Sequence, residues 1–544
     1  MGWSARGAVL GVGIVILSAC GADSDPAGDG SSSVSVRGCN PQSPLVPAWT
    51  AESCGGQVVD QLFSKLVRYH PETAEPVNEI AASIESDDNQ TWVVTLEEGW
   101  TFHNGEAITA HSFVDAWNWA AYAPNGAVNS RFFQAIEGYD ELQPSDLDED
   151  EFSGGEITPD MVREEEMSGL QVDDDMKFTV TLSQPESSFP LRLGYVAYAP
   201  LPEEFFADPE AYGDAPVGSG PFQFAEWVPG AEIRLEAYPG YQGAGRPQID
   251  EVIFRIYQDD TAAYGDLQAD NLDIMPHLPS SALADDAYRS DLGDRFVERE
   301  ALVVSKVTFA PESVDPALAD PRLRQAISMA IDRDAIIDNI FHGTREPATG
   351  WVSPGVEGYE PDVCGEYCTF QPDRARELLE EAGGYSDTLT LTYNADGENR
   401  PWVDATCNSI HNTLGIECVG VPVADFGTFR TKIQAREIGG IFRNVWQADY
   451  PSIESFLGPV YSTGAPSNDG DFSDPEFDEL IGEAASMQGD DAIDRYNAAE
   501  SLLSSGMPSI PLWYASTVAG YSTRVDHVEI TPFQSVDLLN VTLR

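Results

Sequence analysis

Positive charge is scarce in this chain. Lysine and arginine total 29 against 91 aspartates and glutamates, a formal net charge of −62, and only four of the 29 are lysines. A surface this acidic repels phosphate groups, which argues against nucleic acid or anionic lipid as a partner. Histidine is sparse too, with seven residues scattered at no metal-ligand spacing. No His-Glu-x-x-His pair, no phosphate-cradling Gly-x-x-x-x-Gly-Lys and no dinucleotide fingerprint after a strand occurs. The one serine set between glycines, Gly218-Ser219-Gly220, is followed by Pro221 rather than by a helix, so it makes no nucleophile elbow. A secreted hydrolase therefore lacks its nucleophile–base pair or metal triad, and no cofactor or metal is expected. Long apolar runs are missing as well. The run at 7–19 is too short to span a bilayer.

That short run has signal-peptide proportions instead. It ends Leu17-Ser18-Ala19-Cys20-Gly21, which resembles the lipobox of bacterial lipoproteins, where the cysteine is diacylated and becomes the new N-terminus. Residues 1–20 are read as the signal peptide and lipobox, and 21–33 as a polar, flexible tether. The expected location is the outer face of the cytoplasmic membrane, anchored through Cys20 but not spanning. About 520 residues remain, too many for one core, so two or three lobes are expected. An apolar fraction of 42% with 10% aromatics supports globular folding, so the acidity does not signal disorder. The acidic runs at 146–151, 164–166 and 173–175 read as solvated faces.

Six cysteines remain beside Cys20, and they fall as neighbours: Cys39/Cys54, Cys364/Cys368 and Cys407/Cys418. In an exported chain this spacing reads as three local disulfides. The competing reading is zinc held by Cys364, Cys368, Cys407 and His411, which leaves Cys418 and the first pair unexplained.

The hydrophobic pattern alternates strands and helices, with no solenoid or propeller period. Residues 35–40 read as a strand followed by a loop, and 56–67 as an amphipathic helix. A strand from Trp92 leads through an Asn104-Gly105 turn to a helix capped by Thr109 and running through Trp119. An acidic, irregular insertion follows at 137–175, then a strand at 178–182. Strands at 233–237, 251–256 and 272–274, with a helix at 261–269, argue for mixed α/β lobes. Past Arg299 come strands at 303–309, 389–393, 416–421, 441–445 and 509–514. Helices are expected at 320–331, 334–341, 372–382, 474–487 and 492–505.

The stretch from Asn444 to Leu457 carries the candidate chemistry. The strand ending at Trp446 delivers a tryptophan and Asp449 into a turn closed by Tyr450-Pro451. An acidic group beside two aromatic rings suits an ammonium, through ion pairing and cation–π attraction. Alternatively, Asp449 caps a helix beginning in 452–457 and Trp446 is core.

Several stretches together resemble one family. They are Glu98-Gly99-Trp-Thr-Phe-His-Asn104-Gly105-Glu-Ala-Ile-Thr-Ala110, Val217-Gly-Ser-Gly-Pro-Phe222, Pro247-Gln-Ile-Asp250 and Leu267-Gln-Ala-Asp-Asn-Leu-Asp273. The most specific is Asp320-Pro-Arg322-Leu-Arg324-Gln325-Ala326-Ile-Ser-Met-Ala330-Ile-Asp332-Arg333, followed by 371–383 and Met507-Pro-Ser-Ile-Pro-Leu512. They resemble the peptide/nickel class of extracellular solute-binding proteins that serve ABC importers, which includes the oligopeptide- and dipeptide-binding proteins. The resemblance implies an α/β, two-lobed periplasmic-binding-protein (flytrap) fold with an additional domain. Lobe I would combine 34–68, 190–298 and 505–544, the additional domain would be 69–189, and lobe II 299–504. It implies no catalysis, a monomer, a peptide ligand and the permease subunits of an importer as partners. Trp446-Gln447-Ala448-Asp449-Tyr450 matches the family stretch whose aspartate pairs with a peptide's α-ammonium, and Arg443 matches an arginine placed to receive a carboxylate. Ligand backbone would pair with Arg37, Gly38, Cys39 and Asn40 on one side and with 444–447 on the other. Phe426 and Tyr514 are further pocket candidates. The same fold could instead hold a nickel chelate, haem, a sugar or a cationic metabolite.

Overall fold

The computed structural model describes residues 32–144, 157–397, 399–465 and 467–544. The signal peptide, Cys20, nearly all of the tether and the acidic run at 146–151 lie outside the described residues.

One mixed sheet of eleven strands runs through the molecule. Its order is Cys418–Val423, Leu389–Asn394, Ile441–Gln447, Phe296–Phe309, Ser509–Tyr521, Ile274–Met275, Ser33–Gly38, Glu251–Ile256, Glu232–Ala237 and Phe222–Val228, with Arg345–Pro347 also on Ser509–Tyr521. Two separate cores form on it. Val34, Val36, Phe222, Val252 and Phe254 belong to one, and Val304, Val307, Leu391, Ile441 and Leu512 to the other. In the second half the helix Arg400–Leu414 joins two parallel neighbours, Leu389–Asn394 and Cys418–Val423. The halves are joined by two long antiparallel strands, Phe296–Phe309 and Ser509–Tyr521, whose ladder shifts register between Glu300 and Val304 and again between Ser305 and Lys306. The strand Phe296–Phe309 runs longer than its apolar pattern suggests, because the segment from Phe296 to Glu300 is mostly half-exposed and carries no continuous hydrophobic signal.

A third unit hangs on the first half. Four antiparallel strands, in the order Ala81–Glu85, Thr91–Leu96, Lys177–Thr181 and Leu170–Asp174, are covered by the helix Ala110–Ala121. Thr109 and Ser112 close a capping box at its start. Its buried face sets Phe113 and Trp117 against Phe178, with ring centroids 5.9 and 5.6 Å apart. The acidic stretch expected to be irregular thus ends in a strand. Leu170–Asp174 is an edge, where charged residues are tolerated because only one side pairs.

The helix expected at 56–67 runs instead over Ser53–Leu62. It begins one turn earlier because Glu52 caps it, accepting from the N–H groups of Cys54 and Gly55 at 2.6 and 2.8 Å. It stops at Leu62 because that carbonyl is taken by the N–H groups of Ser219 and Gly220, at 2.9 and 2.8 Å. A Cβ on Gly218 would lie 1.8 Å from the Leu62 oxygen. The Gly-Ser-Gly turn is therefore a docking point for a helix end, which is why side chains are absent on either side of Ser219.

The three neighbouring cysteine pairs are bridged, with Cα–Cα separations of 5.2 Å for Cys39–Cys54, 5.6 Å for Cys364–Cys368 and 4.9 Å for Cys407–Cys418. The zinc alternative falls, since its three thiols are consumed. Among the described residues no cluster of three or more ligating groups could hold a metal ion.

Candidate functional site

A cavity of about 480 Å³ lies where the loops of the two halves meet. The start of the helix Ser53–Leu62, the strand Val67–Tyr69 and the segment 194–196 form one wall, and Gln447, Ala448 and Asp449 form the other. Phe533 and its neighbours from the C-terminal loop close one side.

Asp449 reaches the cavity because the strand Ile441–Gln447 ends just before it. Ala448 donates the last ladder bond to the Leu302 carbonyl at 2.9 Å, and the chain then turns. The turn is fixed from behind by Ser455, whose hydroxyl accepts from the Asp449 N–H at 3.3 Å and whose carbonyl accepts from the Trp446 indole at 2.7 Å. Asp449 does not cap the following helix, which starts later, at Glu454, after Ile453. The Asp449 carboxylate accepts no hydrogen bond among the described residues and is half-buried. Burial pushes its pKa up to about 6, opposed by the charges of Arg131 and Arg192 and reinforced by Glu454. A carboxylate held this way lacks a cation within its own shell. Aromatic surface surrounds it. Tyr69 lies on Phe533 with centroids 5.0 Å apart and donates to the Leu191 carbonyl at 2.6 Å, and Tyr195 stacks on Phe132 at 4.2 Å. Burial, then the charges nearby, raises both phenols well above their ordinary range, so they stay neutral.

Directly behind the turn is a buried charge cluster. Arg192 sits between Glu186 at 2.6 Å and Glu454 at 3.5 Å, with its guanidinium 5.1 Å from the centre of the Tyr450 ring. The Tyr450 hydroxyl donates to Glu454. This cluster ties the unit carrying Glu186 to the half carrying Asp449. Nearby, Ser187 N–H donates to Ala485 O at 2.7 Å, and Gln488 donates to Asn89 at 2.6 Å.

Of the residues singled out from the sequence, Asp449 and Gln447 line this cavity; Gln447 also reaches the Phe533 carbonyl at 3.5 Å. Ten others are placed elsewhere. Trp446 turns into the second core, and Tyr450 into the charge cluster. Asn444 donates to Thr308 and Asp469, at 3.1 and 3.2 Å. Arg443 lies over the Phe426 ring at 5.7 Å, and its Nε is buried without an acceptor. Tyr514 is buried, accepting from Thr349 N–H at 3.2 Å. Arg37 pairs with Asp260 at 2.7 Å, the Gly38 carbonyl accepts from Tyr257, Cys39 is bridged, and Asn40 accepts from Gly230 at 3.1 Å. The pattern missed Arg68, Tyr69, Tyr195, His277 and Phe533, which no local motif marks. Desolvation within the cleft, then the charge of Arg37, pushes His277 down to about 4, although part of its surface stays open to solvent. One backbone feature stands out. The strand Ile441–Gln447 pairs along its length with Phe296–Phe309, but on its other side only Ile441 and Phe442 are paired, leaving 443–447 an open edge.

The profile of the bacterial extracellular solute-binding proteins, family 5 (middle), matches residues 75–468. The chain belongs to this family. It is 25% identical over 468 residues to the dipeptide-binding protein DppE of Bacillus subtilis, covering 83% of this chain and 81% of that one. To the oligopeptide-binding protein OppA of the same organism it is 24% identical, covering 86% and 85%. Among solved structures, the murein tripeptide binding protein MppA of Escherichia coli superposes with a TM-score of 0.76 at 20% identity, covering 94% of this chain and 99% of that one. The family member is thus an extracellular solute-binding protein with the two-lobed fold and its extra domain, and not an enzyme. Among the described residues no helix is long and apolar enough to cross a membrane.

Proposed function

We propose that this family member captures peptides with a free amino terminus and delivers them to the permease of an ABC importer, anchored to the outer face of the cytoplasmic membrane through lipid on Cys20 and acting as a monomer. The observation that carries the ligand reading is the Asp449 carboxylate, half-buried beside aromatic rings with no donor of its own. An α-ammonium supplies the missing donors and positive charge in one group. The peptide-binding relatives point the same way.

Capture then proceeds in three physical steps. The ammonium docks on Asp449 while its desolvated methylene neighbours pack on Tyr69 and Tyr195. The ligand backbone adds to the cavity end of the open edge, 444–447, as an extra strand, whose main-chain bonds carry no side-chain information and so admit varied sequences. The lobes close by bending at the two long strands where their register shifts, and the ligand stabilises that closed state over the open one. In this scheme the lobes divide as 34–68, 190–298 and 505–544 against 299–504, with 69–189 as the added domain, and Gln447 helps hold the ligand. Calorimetry with free-amine and N-acetylated forms of one peptide tests the reading. Loss of binding on acetylation supports it, and equal affinity for the two forms contradicts it.

A further inference from the structure

The cavity has a second unsatisfied charge. Its lining includes three acids and two permanent cations. Glu52 is committed to the helix cap, and Asp60 pairs with Lys65. His70 accepts backbone N–H groups through Nδ1, and His277 is neutral. That leaves Asp449 and Arg68. The guanidinium of Arg68 has no carboxylate within ion-pair distance among the described residues, and its Nε is buried without an acceptor. Arg68 sits on the short strand Val67–Tyr69, paired through Val77, and lines both the main cavity and a smaller one of about 110 Å³ that adjoins it. The acids of that annex are also engaged. Glu79 accepts from the Tyr241 hydroxyl at 2.7 Å and from Lys65 N–H at 3.2 Å, and Asp537 accepts from Asn540 at 2.6 Å.

We infer that Arg68 receives a carboxylate of the bound ligand, so that the cleft reads a zwitterion: ammonium at Asp449, carboxylate at Arg68. This rests on the peptide reading and adds the other end to it. Arg443, the arginine that the sequence suggested for this task, lies over the Phe426 ring and does not line the cavity. A guanidinium fits a carboxylate bidentately, and an amide offers it only one neutral oxygen. The main cavity takes the ligand's body, and the annex takes the group at the carboxylate end.

The test is calorimetry on the full protein with alanine peptides of two to five residues, as free acids and as C-terminal amides, on wild type, Arg68→Gln and Arg68→Lys. Wild type is expected to favour the free acid at least tenfold, Arg68→Gln to bind acid and amide alike, and Arg68→Lys to keep part of the preference. N-acetylation should weaken binding equally in all three. Alanyl-glutamyl-alanine amide, whose carboxylate is in a side chain, separates the two sources: tight binding that Arg68→Gln abolishes assigns Arg68 to an acidic side chain, and weak binding assigns it to the C-terminus. An acid-to-amide ratio in Arg68→Gln equal to that of wild type overturns the inference and leaves the peptide reading standing. Wild type that binds no alanine peptide overturns both.

Discussion

Replacing Asp449 with asparagine separates binding from folding. The substitution keeps the shape of the turn, since the Ser455 hydroxyl is held by the backbone N–H at 449 and not by the side chain. What it removes is a charge. A hydrogen bond to a charged group contributes about 1.5–3 kcal/mol, so affinity for a free-amine peptide should fall about 10- to 150-fold. Stability should move the opposite way. The carboxyl titrates at about 6 in the folded protein against an ordinary 3.8, because burial disfavours its charged form. A raised acid binds its proton more tightly when folded, so its ionisation costs stability as the pH rises from about 4 to 6, and the cost is fully present above. Two units correspond to about 3 kcal/mol, and solvent in the open cavity reduces this to about 1–2 kcal/mol. At pH 8 the empty Asp449→Asn protein should therefore unfold at higher denaturant than wild type while binding more weakly. Urea titration and calorimetry on one preparation read both quantities. A variant less stable than wild type, or one with unchanged affinity, would refute the reasoning.

The same group sets a pH profile. Affinity for a free-amine peptide should be flat between about pH 6.5 and 7.5, fall tenfold per unit below about 6 as Asp449 protonates, and fall again above about 8 as the peptide's amine loses its proton; calorimetry across pH 4.5–9 reads it, and an N-acetylated peptide should show neither limb. Arg192→Met leaves Glu186 and Glu454 buried together without their cation, which should destabilise by about 3–5 kcal/mol in urea titrations. Burial already raises the Glu186 pKa, so the loss should be smaller at pH 5 than at pH 8, because protons can replace the missing charge. The Cys407–Cys418 bridge closes a separation of 11 residues between a helix and its following strand. Replacing both with alanine should lower stability by about 2–3 kcal/mol by chain entropy, with peptide affinity unchanged.

Much of this architecture is legible in the sequence because it is local. The apolar alternation of 441–445 finds its strand, Thr109 marks the helix Ala110–Ala121, and neighbouring cysteines find each other over 4 to 15 residues. Long-range contacts are where the pattern fails. The helix start at Ser53 and end at Leu62 depend on Glu52 and on the distant turn at Ser219 and Gly220, and reading 56–67 as helix put Arg68 beyond a helix end instead of on a cleft wall. Arg443 and Gln447 share a face of one strand, yet four residues at about 3.3 Å each separate them by about 13 Å, so one reaches the cavity and the other packs on Phe426. No spacing rule distinguishes them. Tyr69 and Phe533 meet from opposite ends of the chain and carry no signal at all until it folds.

The most direct measurement is mass spectrometry of whatever is released on denaturing the protein purified from its native host. The account predicts short peptides with free amino termini, in a ladder whose length range sizes the cleft. A single non-peptide mass, such as haem or a sugar, would contradict it.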